Sequence, residues 1–187
     1  MTSTDTTSTS TSTLPLRPGT WALDPAHSSV GFTIRHLGVA KVRGAFRRFE
    51  ADVVIGDDLA STSVRAVVHV DSVDTGNAER DAHVLAEDML DVRRRPTLAF
   101  RSTSIEPRAE DWALHGELTI GEVTRPVVLA LELGGLEAFP GDERRRAGFE
   151  ARGEITRRDF GLMPGVPAAV LGDVVKIELD IELVEPA

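Results

Sequence analysis

The side chains able to do chemistry are few and scattered. Five histidines, His27, His36, His69, His83 and His115, are spread along the 187 residues, and cysteine is absent. Without thiols there is no disulfide, cysteine nucleophile, iron–sulfur cluster or cysteine zinc site. The histidines form no His-x-His or Glu-x-x-His pair, so no ligand spacing points to a metal, and none is predicted. No Gly-x-Ser-x-Gly elbow, phosphate loop or dinucleotide fingerprint is present. Asp159 in Arg157-Arg158-Asp159-Phe160-Gly161 reads as a salt-bridged turn whose Phe160 packs inward. It would become an acid–base partner only if folding brought it to His36. His27, in Asp24-Pro25-Ala26-His27-Ser28, reads as a structural turn residue. His36 ends an apolar-alternating stretch and is a candidate hydrogen-bond donor to a ligand. His83 is a candidate at the ligand's point of entry. The arginine runs Arg93-Arg94-Arg95 and Arg144-Arg145-Arg146 are ordinarily solvated loops. If one faced a binding cavity, its guanidinium forks would suit a phosphate or carboxylate head, and Arg93 and Arg94 are the candidates for that role.

These residues are set on a chain dominated by period-two alternation, the mark of half-buried strands. Val30, Phe32, Ile34 and His36 share one face, as do Phe49, Ala51, Val53 and Ile55, and then Val64, Ala66, Val68 and Val70. Leu98 with Phe100, Trp112 to Ile120, Val127 to Leu133 and Ala147 to Ile155 follow. The last run sets Val175, Ile177, Leu179, Ile181 and Leu183 against Lys176, Glu178, Asp180 and Glu182. Eight closely spaced strands predict an all-β antiparallel meander with one short helix, closed as a barrel or folded as a sandwich, and an eight-stranded antiparallel barrel is the expected fold. The helix is expected over residues 78–90, where Ala78, Ala82, Leu85 and Met89 share a face and Asn77 can cap. It rests across a barrel mouth or along a sheet face. An eight-stranded barrel has an interior wide enough for side chains or one small ligand. The inward set of Phe, Leu, Val and Ile suits a packed core and an apolar cavity equally.

Composition narrows the partners. Thirty acidic against 21 basic side chains give a net charge of −9, which argues against nucleic acid and against an anionic membrane surface. No apolar run is long enough to span a bilayer as a helix. Residues 2–13 are Ser and Thr except for Asp5, a composition expected of a disordered tail over 1–18, ahead of a barrel domain at 19–187. That tail has neither the basic start nor the apolar stretch of a signal peptide, which predicts a cytoplasmic protein.

Several blocks resemble the YceI family. They are Leu23-Asp24-Pro25-Ala26-His27-Ser28 with Val30-Gly31-Phe32-Thr33-Ile34-Arg35-His36, Val42-Arg43-Gly44-Ala45-Phe46, and Asn77 to Val92 with Arg80-Asp81-His83. Further blocks are Pro96-Thr97-Leu98-Ala99-Phe100, Gly116 to Ile120, Val123 to Val127 and Arg158-Asp159-Phe160-Gly161. The resemblance runs from about Trp21 to Val184. It implies a lipocalin-like barrel with a helix packed near it, holding a polyisoprenoid or similar amphiphile, the tail inside and the polar head near an opening. It also implies a binding protein rather than an enzyme, with many relatives exported and many dimeric. This chain has Met89 where the family usually has an aromatic residue, and Arg95 where it usually has tyrosine.

The expected function is therefore a non-catalytic carrier of an isoprenoid-type lipid or quinone, with no cofactor and with a homodimer permitted. Phe32, Ile34, His36, Phe46, Phe49, Leu85, Met89, Phe100 and Phe160 are expected to bind the ligand. Two other readings compete: an isomerase or hydrolase acting on such a lipid through His36 or His83, and a stress-related interaction protein with a filled barrel.

Overall fold

The computed structural model describes residues 13–187. Ten strands are present, β1 (Gly19–His36), β2 (Ala40–Phe46), β3 (Phe49–Ile55), β4 (Ser63–His69), β5 (Val73–Asp74), β6 (Thr97–Arg108), β7 (Asp111–Ile120), β8 (Val123–Ala138), β9 (Arg145–Thr156) and β10 (Leu171–Val184), with one helix, α1 (Ala78–Val84). All pairings are antiparallel, and the order β10-β9-β8-β7-β6-β4-β3-β1 is closed by β10 pairing with β1. The result is a closed eight-stranded barrel. β2 and β3 act as one interrupted strand along β1: Trp21 lies opposite Val53, and Phe32 opposite Gly44. β5 adds two residues beyond β2. Closure pairs the two terminal strands of the eight-stranded wall, so neither is left as a free sheet edge.

β1 changes register against β10 between Asp24 and Ser29, and the sequence supplies the means. The Asp24 carboxylate accepts from the Ala26 and His27 amides at 2.9 and 3.3 Å. The Ser28 hydroxyl donates to the Asp24 carbonyl at 2.6 Å and accepts from the Glu182 amide at 2.9 Å. The bulge re-aims the second half of β1 so that Val30, Phe32 and Ile34 continue the inner face. His27 sits on the outside of this turn, 3.1 Å from Asp24, whose carboxylate raises the imidazole pKa.

Three expectations are corrected. The helix is shorter than 78–90, ending at Val84, after which tight turns carry Met89 and Leu90 inward. Asn77 caps it as expected, accepting from the Arg80 amide at 2.9 Å. The folded domain begins before residue 19. Leu14 and Leu16 are buried in the core, and the Trp21 indole donates to the Arg17 carbonyl at 2.9 Å. Residues 1–12 of the expected tail lie outside the described residues. Finally, Asp159 is exposed, and the ion pairs of its turn run instead from Arg157 and Arg158 to Asp173, at 2.9 and 2.7 Å.

The two ends of the barrel are built differently. Where β1 starts, Leu14, Leu16 and Leu59 complete the core, and Arg145 clasps Glu185 through two side-chain hydrogen bonds of 2.6 and 3.1 Å plus an amide at 3.0 Å. These contacts hold the Glu185 carboxyl down at a pKa of about 2. Because this folded value lies below that of the unfolded chain, the stabilisation is full above the ordinary glutamate range and fades as pH falls toward 2. Glu185→Gln should therefore flatten the acid limb of a melting-temperature-versus-pH curve. An unchanged limb would show that the clasp contributes nothing.

At the other end the β9–β10 connection folds back over the mouth. Arg157 is 0% exposed. Its guanidinium donates to the carbonyls of Leu162, Met163, Val166, Leu171 and Gly172 at 2.6–3.2 Å. Burial lowers its pKa and the Asp173 charge opposes that shift. One buried cation thus organises a loop that has no regular ladder of its own.

Candidate ligand cavity

The inner faces do not fill the barrel. A cavity of about 590 Å³ runs through it, within the range of small-molecule sites. Every wall strand contributes alternate residues. On β10 they run from Leu171 through Val175, Ile177, Leu179 and Ile181 to Leu183. That stretch is roughly 40 Å of strand at ~3.3 Å per residue, or about 30 Å along the axis at a ~40° tilt. Its form suits a flexible chain better than a compact ring system. The question that composition left open, packed core or cavity, is answered by a cavity.

Two aromatic residues keep the lumen open by lying flat on glycines. A Cβ built on Gly44 would come within 2.4 Å of the Phe32 ring, and one on Gly116 within 2.3 Å of the Phe100 ring. Gly44 is the β2 partner of Phe32, and Phe100 sits on β6 beside β7. In each case the missing side chain is the ring's seat. Phe46 then meets Phe32 with ring centroids 5.5 Å apart. Gly44→Ala should push Phe32 into the lumen, costing about 1–3 kcal/mol by overpacking and reducing ligand uptake. A melting curve and uptake indistinguishable from wild type would refute the seating argument.

The polar groups of the cavity gather mainly at the end nearest α1. Thr75, Arg80, His83 and His36 line it together with Met89, Leu90, Val42 and Val170. A shallower recess of about 360 Å³, lined by Asn77, Glu79, Arg80 and His83, shares Arg80 and His83 with the lumen. Arg80 is held in place: its Nε donates to Thr75 Oγ1 and its Nη2 to the Thr75 carbonyl, both at 2.7 Å. Thr75 Oγ1 in turn donates to Asp81 at 2.6 Å. Asp81 serves Thr75, so the guanidinium keeps donors free at a junction between an apolar tunnel and solvent.

Of the residues expected to bind ligand, Phe32, Ile34, His36, Phe46, Phe49, Met89 and Phe100 line the cavity. Leu85 and Phe160 do not. Leu85 follows the last turn of α1, and Phe160 is buried in the core under the β9–β10 connection. Arg93 and Arg94 are exposed and stand away from the cavity, facing Glu87 and Asp91 at 3.9 and 4.0 Å. Arg80 takes the position foreseen for them. It was visible in Arg80-Asp81-His83 but belongs to no charge run. The second run lies at the opposite end of the barrel, where Arg144 and Arg146 pair with Asp142 and Arg145 with Glu185. Asp24, His27 and Glu182 come within 4.8 Å of one another on the outer surface. Asp24 is spent on the bulge, and Glu182 faces Arg146 at 3.2 Å.

Fold and cavity together define a lipocalin-like barrel: a closed antiparallel wall around a long apolar lumen with a polar rim. The YceI-like domain matches residues 21–183, and the chain belongs to the YceI family. Protein YceI of Escherichia coli O17:K52:H18 is 36% identical over 137 residues, covering 73% of this chain and 71% of that protein. A UPF0312 protein of Yersinia pestis is 34% identical over 160 residues, 85% of this chain and 82% of its own. The crystal structure of the Campylobacter jejuni YceI protein superposes with a TM-score of 0.73 at 30% identity, covering 89% of this chain and 98% of that one. A polyisoprenoid binding domain from Saccharophagus degradans, at 14% identity and TM-score 0.66, covers 91% of this chain and all of its own, and shares the fold.

Proposed function

We propose that this protein is a non-catalytic carrier of an isoprenoid-type amphiphile, a polyprenyl lipid or a prenylated quinone, with its tail in the lumen and its head at Arg80 and His83. The observation that carries the reading is the division of the cavity: a 590 Å³ apolar tunnel whose cationic contribution lies at one rim. The binding described for the Saccharophagus degradans domain supports the same ligand class. Burying roughly 300 Å² of prenyl surface at ~25 cal/mol per Å² contributes about 7 kcal/mol, part of which offsets the loss of ligand freedom. Tail burial dominates affinity, and the head sets preference. A lipid hydrolase or isomerase would need an acid–base pair facing the lumen. Among the described residues, His83 is 3.4 Å from the exposed Asp88, His69 is 3.2 Å from Glu50 at the cavity wall, whose side chain is 75% exposed, and no acidic side chain lies within 4.0 Å of His36.

Arg80→Gln provides the test. Loss of a charge-assisted contact of about 1.5–3 kcal/mol should weaken binding of a prenyl phosphate at least 10-fold and leave a neutral prenyl quinone unchanged, as read by fluorescence titration. Equal losses for both ligands would remove Arg80 from head-group recognition.

A further inference from the structure

The net charge of −9 conceals a strong segregation. Residues 25–49 hold five of the 21 basic side chains, Arg35, Lys41, Arg43, Arg47 and Arg48, and none of the 30 acidic ones. Arg47 and Arg48 are paired with Asp74 and Asp71 at 2.8 and 2.7 Å. Arg35, Lys41 and Arg43 are exposed, and among the described residues none has an acidic partner within 4.0 Å. They share the outer face of the β1–β2 hairpin, with Arg35 directly opposite Lys41. Like charges in that position repel, so the hairpin carries an electrostatic cost that an anionic surface would relieve. Of the neighbouring acids, Asp173 is paired with Arg157 and Arg158, and Glu178 accepts from the Thr33 hydroxyl at 2.9 Å without an ion pair to the hairpin.

The tip of this hairpin is apolar and fully presented. Val39 is 83% exposed and Leu37 53%, with Val170 beside them at 40%. The Leu37 amide donates to the Val170 carbonyl at 2.8 Å, fixing the tip to the β9–β10 connection. Leu37 adopts φ +52°, a left-handed conformation that favours Asn, Asp or Gly. A leucine stands there despite the backbone's preference. On their inward face the same strands line the cavity mouth with Ile34, His36 and Val42.

We propose that the β1–β2 hairpin is a membrane-docking device: Leu37, Val39 and Val170 insert among the lipids of an anionic bilayer while Arg35, Lys41 and Arg43 meet its phosphates, setting the cavity mouth against the membrane. Apolar anchoring flanked by basic side chains is the usual chemistry of interfacial attachment. The docking goes beyond ligand binding and needs no ligand.

The experiment is sedimentation of the full chain, without added prenyl lipid, on phosphatidylcholine vesicles with and without phosphatidylglycerol. Wild type should bind the phosphatidylglycerol vesicles and release in high salt. Arg35→Gln with Lys41→Gln should weaken this about 25-fold, some five-fold per charge. Leu37→Asn with Val39→Ser should weaken it to a similar extent with an unchanged melting temperature, since both positions are exposed and asparagine suits the backbone at 37. No binding by wild type, or binding that both double variants retain, would overturn the proposal. So would a wild-type dimer in analytical ultracentrifugation that Leu37→Asn with Val39→Ser dissolves, because a second copy would then be what covers the tip.

Discussion

Arg157→Met will be the most damaging single substitution in the molecule. The guanidinium is wholly buried and satisfies five carbonyls of the β9–β10 connection. Methionine fills much of the volume and supplies none of the donors. Removing the central partner of a buried charged network leaves desolvated acceptors behind and costs about 3–5 kcal/mol. For a domain of this size that is a fall of roughly 10 °C in melting temperature. Arg157→Lys should recover only a fraction, because an ammonium cannot reach carbonyls spread from Leu162 to Gly172. The loss should extend to ligand uptake, since Leu162, Met163, Val166 and Val170 line the cavity from this connection. A melting temperature within about 3 °C of wild type would show that the connection is held by its apolar contacts.

A second substitution should separate binding from folding. Ala66 on β4 faces the lumen between Ala51 of β3 and Phe100 of β6, so two small residues adjoin at the same level of the wall. Ala66→Trp places an indole in space that is already empty. Its rings should displace on the order of 100 Å² of tail contact, about 2.5 kcal/mol, which lowers affinity for any long-chain ligand some 50-fold or more. Because the cavity accommodates the added volume, the usual overpacking cost should be small, and the melting temperature of the empty protein should hold or rise. Stability maintained with binding lost identifies the cavity as the binding site. Binding that survives the indole would place the ligand elsewhere.

Much of the fold was legible because a barrel of this kind reduces to strands with one apolar face. The inward residues of β3, β4, β7, β8, β9 and β10 are those the alternation names. β2 is hidden because Gly44 interrupts its inner face, where the ring of Phe32 occupies the space a side chain would take. A cross-strand neighbour completes the pattern, and single-strand periodicity cannot register it. The helix was overextended because Leu85 and Met89 keep helical spacing while the chain turns after Val84 to deliver Met89 and Leu90 to the lumen. Leu14 and Leu16 were lost in a polar segment because two apolar residues make no periodic signal, although both are buried.

The candidate site was half visible for a related reason. Phe32, Phe46, Phe49, Met89 and Phe100 follow from strand parity or from the recognised blocks. Polar roles depend on where loops return, and the sequence does not show that. The arginine triplets attract attention by their density, yet one is solvated and the other clasps the far end. The cation at the cavity rim is Arg80, which stands apart from both triplets, and the one buried beneath the loop is Arg157 of the Arg157-Arg158 pair, each defined by partners irregular in sequence.

The central claim is that the lumen holds a long-chain isoprenoid amphiphile. Native mass spectrometry of the protein purified from its own host, followed by organic extraction and lipid identification, tests it most directly. One prenyl lipid or prenylated quinone per barrel is expected, absent from Ala66→Trp prepared in the same way. A barrel that is empty in both proteins, and that also fails to take up added prenyl phosphate or quinone, would contradict it.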